Sequence, residues 1–294
     1  MDAPAPAIPP SLRTSGFGEL ERLSECCLCG SREISQRFAN GIWECRRCAI
    51  LFRNPRPTLP QIIKSYDAGQ TYAAWQRESE IRGALWRKRL RIVHRYKRAG
   101  RLLDIGTGDG HFLDIAKSSF DVAATEVSET GARYARVRGH DPIIGPLLQL
   151  ALPRQHYDVI TLWHVLEHLP YPGKALCRLL DLLKPDGILV IAVPNETMPL
   201  LRQKFMRDEA EPLGRLLWGG EIHLTHFTPK VLRRCLARLG CSILEMGVDD
   251  VHVERTLASV VGYHASRASQ ALFGKQFDKA MYAVCGRGRD VGGE

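Results

Sequence analysis

The 294-residue sequence contains no apolar run near the ~20 residues that a membrane span requires, and no internal repeat. Its opening, MDAPAPAIPPSLRTSGFG, lacks the basic start and apolar core of a secretory signal. The Pro, Ala and Ser there predict a disordered leader over residues 1–24. An even cysteine count is also missing: there are nine. Without a secretory leader this predicts a reducing, cytoplasmic compartment, where paired cysteines are metal ligands or core residues rather than disulfides. What remains is ordinary soluble material, 45% apolar and 25% charged, long enough for one large domain and a small one.

Formal net charge is +9, and the excess is uneven. From Arg77 to Arg101 ten Lys or Arg stand against two Glu, with Ile81, Leu85, Leu90, Ile92 and Val93 at near-helical spacing. The pattern predicts a basic helical linker or cap over residues 59–100. Its charged face is either simply solvated or a surface for phosphates or anionic lipid.

Cys26-x-x-Cys29 and Cys45-x-x-Cys48 are separated by fifteen residues, the spacing of a four-cysteine zinc site within a small module over residues 25–58. Two knuckles present two sulfurs each, and four thiolates close a tetrahedron with no open position, so the zinc would be structural. Cys27 competes with Cys26; only Cys26 gives both knuckles the same gap. Cys177, Cys235, Cys241 and Cys285 fall in apolar patterns and read as core.

From about residue 100 the pattern alternates. Leu102–Ile105, Asp121–Val127, Tyr157–Trp163, Ile188–Val193, Cys241–Met246 and Lys279–Cys285 read as strands. His111–Lys117, Glu129–Arg138, Lys174–Leu183 and Pro229–Leu239 read as helices, the last stopped by Gly240. Such alternation predicts an α/β fold of βαβ units, with a mostly parallel sheet covered on both faces. Ligands of such sheets sit beyond the carboxyl ends of the strands.

The first of these strands runs into a glycine loop, RLLDIGTGDG. Gly106, Gly108 and Gly110 allow sharp turns and close approach, and Thr107 lies between them. The spacing departs from the G-x-G-x-x-G of a pyrophosphate site, and Asp104 closes the strand. Exposed loop N–H groups, with Asp104 near an ammonium group, suit a ligand that has an amino-acid portion and no phosphates. Glu126, ending the next strand, is placed to accept both hydroxyls of a ribose. S-adenosylmethionine (SAM) has these features.

The stretches LLDIGTGDGHFLDIA, VAATEVSETGARYA and YDVITLWHVLEHLPYPGKALCRLLDLLKPDGILVIAVPN resemble the class I SAM-dependent methyltransferases. Within these the chain resembles the branch related to ubiquinone-biosynthesis O-methyltransferases, over roughly residues 60–286. CRRCAILFRNPRPTLPQIIKSYD is similar to zinc-binding leaders on many bacterial members, including sugar C-methyltransferases, which carry a further C-terminal domain that is not expected here. The resemblance implies a Rossmann-like seven-stranded sheet over residues 101–290, preceded by a zinc-ribbon-like module. It implies Asp104, Gly106, Gly108 and Gly110 around the methionine part of SAM, and Glu126 on the ribose. Leu147 and Leu148 would approach the adenine, and Trp163 and His164 would follow the strand bordering the reactive end.

Methyl transfer from a sulfonium is chiefly a matter of positioning, with a base where the acceptor must lose a proton. His164, Glu167 and His168 share one face if WHVLEHL is helical. His164 is the first candidate base. The triplet could also hold a divalent metal, and a structural hydrogen-bonded pair is the plain alternative for Glu167 and His168. His223 is the second candidate base, with Glu221 and His226 beside it, following an irregular stretch expected to form a lid near 196–225. Asn195 ends a strand on the ligand side. The expected acceptor is a small molecule of sugar, nucleotide-sugar or quinone type. The zinc module and basic helix leave RNA as an alternative acceptor, although no base-stacking aromatic pair accompanies the motif. A non-catalytic interaction module is the reading from another class, against which the intact glycine loop and Glu126 speak.

Overall fold

The computed structural model describes residues 18–38, 41–68, 72, 75, 79–197, 217–218, 221–249, 261–262, 264–265, 268–269 and 279–288. Most of the expected leader and most of the expected lid lie outside these residues. Leu20–Glu21 pairs with Arg56–Pro57, and between them come three antiparallel strands, β1 (Ile34–Phe38), β2 (Ile42–Cys45) and β3 (Leu51–Arg53). The cysteine knuckles flank this small sheet. Helix α1 (Leu59–Ala68) follows, then α2 (Ser79–His94).

The large unit is built from β4 (Arg101–Ile105), α3 (His111–Ala116), β5 (Asp121–Glu126), α4 (Glu129–Val137), β6 (Ile143–Ile144), β7 (Tyr157–Trp163), α5 (Pro172–Leu182) and β8 (Leu183–Pro194). It closes with β9 (Thr225–His226), α6 (Pro229–Arg238), β10 (Cys241–Val248) and β11 (Ala280–Arg287). One seven-stranded sheet has the order β10-β11-β8-β7-β4-β5-β6. Its β8–β7–β4–β5–β6 pairs are parallel, and β11 lies antiparallel between β8 and β10. DVITLW and ILVIAV read as unbroken apolar runs because strands at the middle of a covered sheet bury both faces.

Expected elements and observed ones agree except at their ends. Strand β8 begins at Leu183 rather than Ile188, its register shifting between those residues. Helix α5 starts earlier, with Pro172 in its first turn, where a missing N–H costs nothing. Strands β1–β3 fall inside the expected small module without having been assigned one by one, and helix α1 falls inside the expected helical cap over residues 59–100.

The cysteine module has only a small apolar cluster of its own among the described residues, Ile42 and Leu51 with Phe38. Cys26, Cys27, Cys45, Cys48, Ile50 and Phe52 pack in one cluster with Leu176, Phe227, Val231 and Leu232 of the large unit. A side chain at Gly173, in the first turn of α5, would meet the Leu28 carbonyl oxygen at 1.9 Å, so the first knuckle rests on that helix. The basic run is largely occupied as well. Trp86, Leu90, Ile92 and Val93 are buried, Arg89 is buried, and Arg95, Lys97 and Arg101 pair with Glu245, Asp186 and Asp121.

Candidate active site

Strand β4 ends in the glycine loop, and all three glycines have left-handed backbone, with φ of 65°, 59° and 75° at Gly106, Gly108 and Gly110. Only glycine takes this conformation without strain. Four of the loop N–H groups are bonded within the fold rather than offered to a ligand, contrary to the sequence reading. Gly106 and Thr107 donate to the Thr125 carbonyl at 2.9 and 3.1 Å, Gly110 donates to Thr107, and Gly108 donates to Glu126 Oε2 at 2.7 Å. The loop is thereby stapled to β5, and what it offers is close backbone approach.

Glu126 is buried, and its Oε1 also accepts from the Val127 and Ser128 amides at 2.8 and 3.0 Å. Burial pushes its pKa up against these three donors. A carboxylate has about four acceptor sites. Three are taken, so Oε2 has the remaining site and double acceptance of a ribose requires one backbone bond to yield. Asp104 is buried and accepts from Thr161 Oγ1 at 2.6 Å. Burial raises its pKa to about 7, opposed by that hydrogen bond.

A cavity of about 330 Å³ lies over the carboxyl ends of β4 and β5. Gly106, Gly108, Glu126, Leu147 and Leu148 form one part of its wall, and His164, His168 and Tyr171 another. Helix α1 contributes Leu59, Ile62, Ser65 and Tyr66, and Tyr72 and Trp75 close over the glycine loop. A side chain at Gly108 would stand 2.8 Å from the Trp75 ring. Asp67 at the end of α1 fixes this cover by accepting from Ser128 Oγ and the Thr130 amide at the start of α4. Asp104, Thr107 and Gly110 stand behind this wall rather than on it. Trp163 is a correction: it is buried on the opposite face, packed on Phe112 at 5.5 Å and under the Arg89 guanidinium at 5.0 Å.

WHVLEHL is not one helix, so the shared face that depended on helicity does not form. His164 has φ 58°, and only Leu166–His168 makes a short 3₁₀ turn. His164 Nε2 meets Asp249 Oδ2 at 3.0 Å and its Nδ1 faces Glu167 Oε1 at 3.4 Å. Burial opposes the imidazolium, but Asp249 and Glu167 outweigh it and raise the pKa to about 9. With both nitrogens facing carboxylates, the ring has none free for a substrate proton, contrary to its expected role as first candidate base. His168 is placed differently. Its Nδ1 donates to the Ile222 carbonyl at 2.7 Å, since a carbonyl only accepts, and this leaves Nε2 towards Glu167 at 3.9 Å.

His223 is buried behind His168, the rings 4.9 Å apart and edge to face, and it is not on the cavity wall. Burial and the neighbouring His168 lower its pKa to about 3. The metal-spaced group near the cavity is therefore Glu167, His168 and His223, whose ligand atoms lie within 4.8 Å of one another, and His164 is not a member. His226 Nδ1 contacts Glu196, and Asn195 turns its carboxamide oxygen to Thr197. Asp249 and Arg89 were not legible as site residues; a lone acid after a strand and one arginine in a basic run carry no signal of their pairing.

The four cysteines of the two knuckles converge. Their sulfurs lie within 4.8 Å of one another, with Cys26–Cys48 and Cys29–Cys45 at 3.6 Å. A zinc tetrahedron with ~2.3 Å bonds has sulfur–sulfur edges of about 3.8 Å, so the donor set fits that ion. Cys27 is buried but stands outside the cluster.

A seven-stranded sheet of this order, with a glycine loop and an acidic residue over adjacent strand ends, defines the class of Rossmann-like methyltransferase folds. A family model described as Methyltransferase domain matches residues 75–246, more than half of the chain, and the chain belongs to that family. The ubiquinone biosynthesis O-methyltransferase of Caulobacter vibrioides is 36% identical over 108 residues, 34% of this chain and 43% of that protein. Its counterpart in Bordetella avium is 28% identical over 166 residues, 52% of this chain and 68% of that protein. The chain thus spans less than half the length of the first of these relatives. Among solved structures, Haemonchus contortus phosphoethanolamine N-methyltransferase 2 in complex with S-adenosyl-L-methionine is 15% identical, with a TM-score of 0.55 over 81% of this chain and 63% of that one. A SAM-dependent methyltransferase of Thermotoga maritima, a possible histamine N-methyltransferase, is 15% identical, with a TM-score of 0.52 over 77% of this chain and 99% of that one. These likenesses show the fold.

Proposed function

We propose that the protein transfers a methyl group from SAM to a hydroxyl of a small-molecule acceptor. One observation carries the reading: Gly106, Gly108 and Glu126 line the same cavity as His164 and His168. Glu126 Oε2 takes a ribose hydroxyl, Leu147 and Leu148 flank the adenine, and the loop backbone lies along the methionine part, with Asp104 holding the loop from behind. When bound, SAM supplies an electrophilic methyl on a sulfonium.

The chain's own part is to exclude water beneath Tyr66, Tyr72 and Trp75, to orient the acceptor, and to take its proton. His168 on the cavity wall does the last, with Nδ1 bonded to the Ile222 carbonyl and Nε2 3.9 Å from Glu167. His164 is a fixed cationic wall held by Asp249. A phenolic acceptor is the first class to test, since the curated relatives are O-methyltransferases of ubiquinone biosynthesis. Incubation with radiolabelled SAM and a panel of catechols, sugars and nucleotide-sugars, followed by mass analysis of the product, tests it. Label appearing in none of them, or on nitrogen, opposes it.

A second reading is favoured by Glu167, 1% exposed, whose carboxylate has ion-pair contacts to His164 and His168 and no hydrogen bond. A divalent cation on Glu167, His168 and His223 would satisfy it and would polarise the acceptor oxygen. Turnover that falls on chelation, and returns with Mg²⁺ or Mn²⁺ alone, would favour this route over the His168 base. The four knuckle cysteines hold a structural zinc in either case.

A further inference from the structure

A short segment joins the four-cysteine module to the His168 end of the cavity, separately from the Arg56 bond to the Pro170 carbonyl and the packing of the first knuckle on Gly173. Strand β9 adds antiparallel to the module's β3, with Thr225 opposite Phe52 and His226 opposite Leu51, and the Arg53 amide donates to the Leu224 carbonyl at 2.9 Å. The same segment then touches the cavity turn. The Leu224 amide donates to the Glu167 carbonyl at 2.9 Å, and the Ile222 carbonyl accepts from His168 Nδ1. The His223 ring lies against His168. Residues 222–226 therefore form a bridge from the sheet edge of the module to the turn that carries His168.

The start of β3 is set by the second knuckle. Cys45 N–H donates to the Ile50 carbonyl at 3.1 Å, Ala49 N–H donates back to Cys45 at 2.8 Å, and Ala49 has φ 62°. Four sulfurs at metal-ligand separation fix that knuckle only when something holds them together, because thiolates repel one another. The glycine loop, in contrast, is tied to Thr125 and Glu126 of β5 and has no bond to the module.

We propose that the four-cysteine module is a positioning element for the acceptor end of the cavity. Metal on Cys26, Cys29, Cys45 and Cys48 sets the second knuckle, the knuckle sets β3, and residues 222–226 transmit its position to His168. The glycine loop and Glu126 take no hydrogen bond from this chain of contacts among the described residues. The inference rests on reading the cysteines as a zinc site and the cavity as the methyl-transfer site.

Hydrogen exchange by mass spectrometry on the full-length protein, zinc-loaded and then chelator-stripped under reductant, tests it without any acceptor. Stripping should speed exchange roughly tenfold or more in peptides covering 222–227 and 166–169, while 102–112 stays protected. SAM affinity by calorimetry should stay within about twofold. The zinc-loaded Leu224→Pro variant cuts the bond to Glu167 and keeps every cysteine. It should retain its metal and lose protection at 166–169. The proposal is overturned if stripping deprotects 42–53 and leaves 222–227 and 166–169 unchanged. It is equally overturned if all peptides, 102–112 included, lose protection together, for the module is then a general folding determinant. Unchanged protection of 166–169 in Leu224→Pro also overturns it. Failure of the loaded wild type to bind SAM sinks the methyltransferase reading instead, whatever the exchange pattern shows.

Discussion

Arg89 and Asp249, 160 residues apart in the chain, form a buried two-pronged ion pair, Nη2–Oδ2 at 2.6 Å and Nε–Oδ1 at 3.3 Å. Asp249 passes the contact on to His164, and the Arg89 guanidinium lies over the Trp86 and Trp163 rings. Removing one partner strands the other charge in the interior. Arg89→Met should therefore cost about 3–5 kcal/mol of unfolding free energy, measured by urea denaturation. The double variant Arg89→Met/Asp249→Leu should recover much of that loss. A single-variant loss within ordinary surface values would contradict the buried pairing.

Zinc content checks the knuckle geometry. Protein purified under reductant should carry about one zinc per chain, and Cys48→Ser should lose it together with thermal stability, since the module shares the main core. Cys27→Ser should keep the metal. Zinc that survives in Cys48→Ser and leaves with Cys27→Ser would exchange their assignments.

Asp104 makes stability depend on pH with a defined sign. Its pKa is raised from 3.8 in the unfolded chain to about 7 in the fold, chiefly by burial. The native state therefore holds the proton longer, and the group's contribution is lost as pH rises through that window. Asp104→Asn, which cannot ionise, should gain on the wild type by on the order of 1 kcal/mol per pH unit between those values and no further above pH 7. A difference that stays flat from pH 4 to 8 would show that Asp104 is ionised in the fold.

The two cavity histidines should separate kinetically once an acceptor is known. His168→Ala should lower kcat by roughly 10²–10⁴ if its Nε2 takes the proton, with SAM affinity intact. His164→Gln should cost less in kcat. The reverse order would restore His164 as the base.

The parallel core was legible because strands buried on both faces read as plain apolar runs, and DIGTGDG with Glu126 stands where such a sheet binds ligands. The two cysteine knuckles were legible because metal ligation demands fixed local spacing. The acceptor end was not. His164 reads as a base until Asp249, 85 residues on, is seen to occupy it. His168 reads as structural until Ile222, 54 residues away, fixes its tautomer. Trp163 follows the right strand, yet alternation turns its side chain to the far face. Pairings made across such distances leave no periodic trace in a single sequence.

Titration of SAM into the wild type and Glu126→Ala by calorimetry tests the central claim most directly. The account predicts one site per chain in the wild type, with affinity weakened by roughly 10–100-fold or more in the variant through loss of a charge-assisted hydrogen bond. Circular dichroism would confirm that the variant is folded. No binding heat in the wild type, or equal affinity in a folded Glu126→Ala, would contradict it.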